Sequence, residues 1–278
     1  MSLTKAEKTV EAARTGVDQL WARLRVEAAS AAAEEPILAS FLNAAILRHD
    51  RFSDALAYRI AAKLADAQLD AMLARDVAEE ALEGDPDIVE QAAADMMAVD
   101  ERDPACLSLL QPFLYFKGYH ALQAHRVAHW LWAQGRQTLA FHLQSRVGER
   151  FGLDIHPAAR IGRGVMIDHA TSVVIGETTV VGDDCSILHE VTLGGTGAAH
   201  EDRHPKIGNG VLIGAGAKVL GNIKIGDCSR IGAGSVVLKE VPPRVTVAGV
   251  PAKVIGEAGC AQPALVMDQM VLVHDTNS

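Results

Sequence analysis

From residue 152 onward an aliphatic side chain returns at every sixth position. Ile155, Ile161 and Ile167 begin the series, which slips by two residues and continues at Ile175, Val181, Ile187 and Leu193. After an interruption of fourteen residues it resumes at Ile207, Ile213, Val219, Ile225, Ile231 and Val237. Eight of these thirteen residues are followed directly by glycine, and four places after most of them stands a small or β-branched residue such as Ala159, Val165, Thr171 or Cys185. A heptad or an amphipathic helix cannot have this period. The spacing predicts a solenoid in which each hexad is one short strand and three hexads close a triangular coil. Its coils stack at roughly 4.8 Å with the aliphatic residues inside. Glycine is expected to ease each corner, where other residues are sterically limited.

Residues 1–151 follow a helical pattern. Thr4 and Glu7 have capping-box spacing. Ile37, Leu38, Phe41, Leu42, Ala45 and Ile46 recur at helical intervals behind Pro36, which suits a first-turn position. Gly84-Asp85-Pro86 reads as a stop, an N-cap and a first-turn proline. Tyr119, Leu122, Val127, Trp130 and Leu131 form another apolar face. All twelve aromatic residues lie at or before Phe151, and 19 of the 24 glycines lie after it. The expected organisation is a helical packing and oligomerisation domain over 1–151, a solenoid over 152–256, and a tail over 257–278.

The chain of 278 residues carries a net charge of −9, which disfavours a protein that coats nucleic acid. Residues 152–256 nevertheless balance ten basic against ten acidic side chains, so an anionic ligand is admissible there. No run of eighteen apolar residues argues for a membrane span, and the opening MSLTKAEKTVEAARTG lacks the apolar stretch of an export signal. Cys106, Cys185, Cys228 and Cys260 are widely spaced, which predicts free thiols in a reducing cytoplasm and no cysteine metal site.

Chemistry in a solenoid is expected where the repeat is broken. His156 and Asp168 take the place of the glycine after the aliphatic residue. Leu193-Gly194-Gly195-Thr196-Gly197 opens the long interruption, which includes Glu201-Asp202-Arg203-His204-Pro205-Lys206 and must leave the prism. These segments carry a resemblance. DIHPAARIG, IDHAT, VIGET, VTLGGTG, DRHPKIG, VLIGAGAKVLGNI and IGAGSVVL, together with Arg102-Asp103-Pro104-Ala105 and Lys117-Gly118-Tyr119-His120-Ala121-Leu122-Gln123-Ala124 in the first half, resemble the serine O-acetyltransferases of the hexapeptide-repeat superfamily.

The resemblance implies a left-handed parallel β-helix behind the helical domain. It also implies transfer of an acetyl group from acetyl-CoA to the hydroxyl of L-serine, a step of L-cysteine biosynthesis. His169 is then the general base, because serine's hydroxyl needs a proton acceptor near neutral pH. Asp154 would orient its imidazole. Asp103 and Asp168 would receive the serine ammonium, although Asp103-Pro104 also reads as a helix N-cap. Arg203 would clamp the carboxylate through its planar fork, with His204 as a second polar contact and Glu177 in support. Gly194, Gly195, Gly214, Ala215 and Ala233 would let the pantetheine arm of acetyl-CoA approach the backbone, and Lys218, Lys224 or Lys253 would meet its phosphates. Acetyl-CoA is then a co-substrate, and no tightly bound cofactor or metal is expected.

Family habits add a homotrimer or dimer of trimers, feedback inhibition by cysteine, and docking of a C-terminal isoleucine into O-acetylserine sulfhydrylase. This chain ends Val271-Leu272-Val273-His274-Asp275-Thr276-Asn277-Ser278, so weak or absent sulfhydrylase binding is expected. Ser172, where relatives often carry glycine, is expected to be tolerated, whereas Ala198-Ala199-His200-Glu201 places donor affinity in question. Three readings compete: a metal lyase using His156, His169 and His189, a mainly regulatory partner of the sulfhydrylase, and an acetyltransferase for another acceptor.

Overall fold

The computed structural model describes residues 5–197 and 201–269. Its two compact units divide between Phe116 and Lys117. The first contains α1 (Lys5–Glu34), α2 (Ala39–Leu42), α3 (Phe52–Leu64), α4 (Ala71–Gly84), α5 (Asp87–Arg102) and α6 (Leu110–Leu114). The helix expected behind Pro36 forms as a composite: a 3₁₀ turn over Pro36–Leu38, then α2, then a π-helical turn over Asn43–Leu47. Leu42, Ala45 and Ile46 are buried, but Ile37 is 83 % exposed, so the apolar face is shorter than the sequence spacing indicates. Small residues set the helix spacing: Ala55 and Ala61 on α3 and Ala74, Ala78 and Ala81 on α4 are all buried where these helices pack. Asp70 caps α4 by accepting from the backbone N–H groups of Met72 and Leu73 at 2.8 and 3.0 Å. The stop at Gly84 falls where the sequence puts it, but α5 begins one place later than expected, at Asp87 with Pro86 in the cap position, while Asp85 accepts from Asp87 N–H at 3.2 Å. The Thr4 cap of α1 lies outside the described residues.

The second unit begins with α7 (Lys117–Ala133) and α8 (Gln137–Phe151) and continues into five coils of a parallel β-solenoid. The first sheet stacks Leu153–Ile155, Val173–Ile175, Thr192–Gly194, Lys218–Leu220 and Val236–Val237. The second begins at Arg160–Ile161 and the third at Met166–Ile167. Register matches like with like, Ile155 opposite Ile175 and Ile187 opposite Ile213. Twelve of the thirteen hexad aliphatics are buried, and Ile161 at the first coil is half-buried. Thr171 is the exception among the small residues: it is exposed because the two-residue slip hands its inward place to Val173.

The composition changes at 151, but α7 and α8 pack with the solenoid. A first coil has no predecessor, so its backbone edge is open. Helix α7 covers it: Arg126 donates to the carbonyls of Ile161 and Gly162 at 3.1 and 2.7 Å, and His129 Nδ1 donates to that of Pro157 at 2.7 Å. Gly118 permits the approach, since a Cβ there would lie 2.0 Å from the Ile167 carbonyl oxygen.

The glycines that follow the aliphatic residues have a different role from the one expected. Left-handed backbone occurs two residues later at the second-sheet corners, at Gly164, Asp184, Gly210 and Cys228. At Gly162, Gly182 and Gly208 the constraint is space, because a Cβ would sit 2.2–2.4 Å from Oδ1 of Asp183, Asn209 and Asp227 on the next coil. Those oxygens accept the N–H groups of Arg163, Asp183 and Asn209 at 2.8–3.0 Å. Each glycine therefore makes room for a side-chain ladder that ties one coil to the next.

After the antiparallel pair Val245–Gly249 and Ala252–Glu257 closes the last coil, the chain turns back along the third sheet. There α9 (Pro263–Val266) is anchored by Ser186 Oγ, which donates to the Ala264 carbonyl at 2.9 Å, and Arg230 reaches the Asp268 carbonyl at 3.0 Å. Residues 270–278, with the expected docking terminus, lie outside the described residues. Among the described residues no helix is long and apolar enough to cross a membrane.

Candidate active site

The slip in the repeat produces the first functional corner. Asp168, in the glycine place, keeps the coil stacked through its N–H to the Ile187 carbonyl at 2.8 Å. The chain then turns with His169, Ala170 and Ser172 all at φ between 52 and 60°, a conformation that costs roughly 1–2 kcal/mol per residue. The turn is held from several sides: Thr171 N–H to the His169 carbonyl at 2.7 Å, Ser172 N–H to Gly152 at 2.8 Å, and Lys117 Nζ to the Thr171 hydroxyl. His169 consequently stands out of the fold with its side chain 74 % exposed, Nε2 3.7 Å from Asp168 Oδ2. Its ring meets His189 of the next coil edge to face at 5.7 Å.

This edge continues through Gly214, Ala215 and Ala233. Gly216 N–H donates to the His189 carbonyl and Gly234 N–H to that of Ala215, so the corners are stacked in order. A Cβ on Gly214 would lie 2.6 Å from Ala233 N, which makes that glycine a stacking requirement. Ala215 is half-buried and Ala233 exposed, and these small side chains leave the edge open beyond His189.

The second functional corner follows the first sheet, on a different edge of the prism. Glu177 pairs with Arg203 Nη2 at 2.6 Å, and this guanidinium holds the Glu177 carboxyl below its ordinary range. The Arg203 stem crosses Gly195, where a Cβ would meet Cγ at 3.2 Å. His204 is buried against Gly176, where a Cβ would fall 2.0 Å from the ring. Burial first and the Arg203 charge second push the His204 imidazole below its usual pKa. Thr178 fastens this segment: its hydroxyl accepts from Arg203 N–H and His204 N–H, each at 3.1 Å. Lys206 Nζ locks the exit through the carbonyls of Thr178 and His204 and the Asp202 carboxylate, at 2.6–2.8 Å.

The remaining candidates are held by their own neighbours. Asp154 is exposed on its strand and accepts from Gln144 Nε2 at 2.6 Å, with no hydrogen bond or ion pair to His169 among the described residues. In the first unit, Asp103 closes the C-terminus of α5 and its Oδ1 accepts from Ala105 N–H at 2.8 Å. This is an Asx turn. The N-cap alternative is not realised, because no helix starts at Pro104. His156 lies edge-on to Trp132 and Phe141, apart from the contact between His169 and His189, and among the described residues no three potential metal ligands converge. Thr178, Lys206 and Gln144 hold or flank the site although the motifs gave them no part in it, and His189, named only for the metal-lyase alternative, lies beside His169. Thr178 was legible only as the hydroxyl beside Glu177 in VIGET.

A family model described as "Serine acetyltransferase, N-terminal" matches residues 20–124, and one for six bacterial transferase hexapeptide repeats matches 204–239. The serine acetyltransferase of Salmonella typhimurium is 54 % identical over 250 residues, 90 % of this chain and 92 % of that one. The chain belongs to the serine acetyltransferase family. The crystal structure of the Vibrio cholerae serine acetyltransferase matches with a TM-score of 0.90 at 55 % identity, covering 91 % of this chain and 98 % of that one. Family structures with ligands also match. One from Neisseria gonorrhoeae holds serine (TM-score 0.82, 54 % identity, 84 % and 96 % of the chains), and one from Brucella abortus holds coenzyme A (0.86, 53 %, 88 % and 98 %). A third is a complex with cysteine (0.90, 49 %, 91 % and 99 %). Family membership accounts for both halves of the sequence, the helical domain and the hexapeptide solenoid.

Proposed function

We propose that this chain transfers the acetyl group of acetyl-CoA to the hydroxyl of L-serine, giving O-acetyl-L-serine and CoA for cysteine synthesis in the cytoplasm. The observation that carries the reading is the Asp168–His169 corner, an exposed imidazole beside a carboxylate, in a chain so similar to serine acetyltransferases. His169 takes the hydroxyl proton as serine Oγ attacks the thioester carbonyl. The tetrahedral intermediate collapses with loss of the C–S bond, and the imidazolium returns its proton to the CoA thiolate. Asp168 receives the serine ammonium, Arg203 its carboxylate, and His204 a further oxygen. Asp154 aligns the imidazole once it leaves Gln144; it lies two residues from Gly152, whose carbonyl holds the His169 turn.

The two functional corners lie on different edges of one prism, which favours a site completed between copies in a trimer or a dimer of trimers. Pantetheine then runs along the small side chains of Ala215 and Ala233 on one wall, with Gly194 and Gly195 on the other. Cysteine shares serine's ammonium and carboxylate, so it inhibits by occupying the same groups.

Replacing the base tests the reading directly. His169→Ala is expected to lower kcat by about 10²–10⁴ while the calorimetric affinity for acetyl-CoA is retained. Thiol release with a panel of hydroxyl acceptors should favour serine. Turnover within about threefold of the parent would remove His169 from the role, and preference for another acceptor would change the substrate.

A further inference from the structure

We propose that Thr178 is a positioning residue that locks His204 as the neutral Nε2–H tautomer, so that His204 acts on substrate as a hydrogen-bond donor and never as a base. The inference rests on the reading that His204 faces the acceptor substrate. Two donors converge on His204 Nδ1: the Thr178 backbone N–H at 3.2 Å and the Thr178 hydroxyl at 2.9 Å. A backbone N–H can donate only to an unprotonated nitrogen, so Nδ1 is the acceptor and the ring proton resides on Nε2. The hydroxyl fits the same assignment. Its oxygen already accepts from Arg203 N–H and His204 N–H, which uses both lone pairs and leaves one proton to give. Asp202, paired with Lys206 Nζ at 2.6 Å, also takes a hydrogen bond from this hydroxyl, so the hydroxyl proton is shared between Asp202 and Nδ1 whereas the backbone N–H serves Nδ1 alone.

The far edge of the ring is what remains for substrate. Nε2 makes no hydrogen bond among the described residues, and it is not among the sealed side-chain atoms of the chain. The room at Nε2 depends on bare backbone at Gly176, because a Cβ there would lie 2.0 Å from both Nε2 and Cδ2. A fixed N–H in this position addresses an oxygen that carries negative charge, a substrate carboxylate or the oxyanion of the tetrahedral intermediate. One threonine thus fixes the backbone that carries Arg203 and the donor edge of His204.

Steady-state kinetics of the full chain, with folding checked by circular dichroism and acetyl-CoA binding by calorimetry, separates the possibilities. Thr178→Val keeps the shape and removes the hydroxyl, and should lower kcat/KM for serine about tenfold, the worth of roughly one hydrogen bond to a site group. The KM for acetyl-CoA should stay unchanged, and Thr178→Ser should recover most of the loss. Glutamine can place an N–H where Nε2 lies and asparagine cannot reach it, so His204→Gln should retain about tenfold more serine kcat/KM than His204→Asn or His204→Ala. Equal loss in the valine and serine variants, or a glutamine variant no better than asparagine, would overturn the inference. If His204→Ala kept the parent rate, the placement of His204 at the substrate would fail with it. If His204→Ala were impaired and Thr178→Val were not, only the Thr178 lock would fail.

Discussion

Arg203 is held by three different features: an ion pair to Glu177, a backbone bond to Thr178, and a stem lying across Gly195. What such a residue presents to a ligand is its planar fork, which pairs with a carboxylate through two parallel bonds. A lysine can keep the pair with Glu177 but offers a point charge. Arg203→Lys should therefore raise the serine KM by about tenfold or more with little effect on acetyl-CoA, and an unchanged serine KM would return Arg203 to a structural role on its loop. Arg203, His204, Asp168 and His169 were legible because each violates the hexad rule or sits in its interruption. Their supports were not. Thr178 occupies an ordinary corner place in VIGET, and its value comes from a segment 25 residues away that only folding brings to it.

At the level of elements, the six-residue period was enough to predict the solenoid and its inward face, because these follow from spacing alone. The reason for its glycines was not, since it depends on the neighbouring coil. Gly182 faces Asn209 Oδ1 and the Gly208 backbone, so Gly182→Ala should destabilise by about 1–3 kcal/mol through overpacking. Gly148 in α8 has only an ordinary 3.7 Å neighbour, so Gly148→Ala should stabilise by roughly 0.5–1 kcal/mol. Urea midpoints of opposite sign would bear out this contrast, and equal effects would remove the ladder's steric role. The attachment of α7 to the solenoid was also hidden, because it runs through polar side chains on a helix that reads as apolar. His125 on that helix is wholly enclosed, and burial first, then His129 and Arg126, hold its pKa well below the ordinary value. Unfolded, it takes up a proton near pH 6.5 that the folded chain refuses, so its contribution is full above that pH and is lost as pH falls below it. His125→Gln should flatten the decline of Tm between about pH 7 and 5.5, while His156 and His204, shifted the same way, leave part of it. An unaltered slope would place the acid sensitivity elsewhere.

On the scale of the molecule, the motifs name a set of residues, and the fold sorts them onto different edges. His169, Asp168, Ala215 and Ala233 follow the third sheet, whereas Arg203, His204, Gly194 and Gly195 follow the first. A repeat pattern reports which residues point in and which turn a corner, but three corners look alike in sequence, so this sorting was not legible. On the proposed reading, a serine held by Arg203 and deprotonated by His169 draws on two prisms, which a closed cyclic assembly would supply. The expectation can be tested with two chains that are each inactive for a different reason. Chains carrying His169→Ala and Arg203→Ala, expressed together with different tags and purified through both, would form mixed assemblies. Each site takes one group from each of two neighbours, so a mixed trimer holds an intact His169 opposite an intact Arg203 at one of its three sites, and a randomly mixed dimer of trimers at about a quarter of its sites. Activity near that fraction of the parent, far above either variant alone, is the expected result. If both groups act within one chain, every site carries one defect or the other, and a verified mixed assembly would be no more active than the average of its two components.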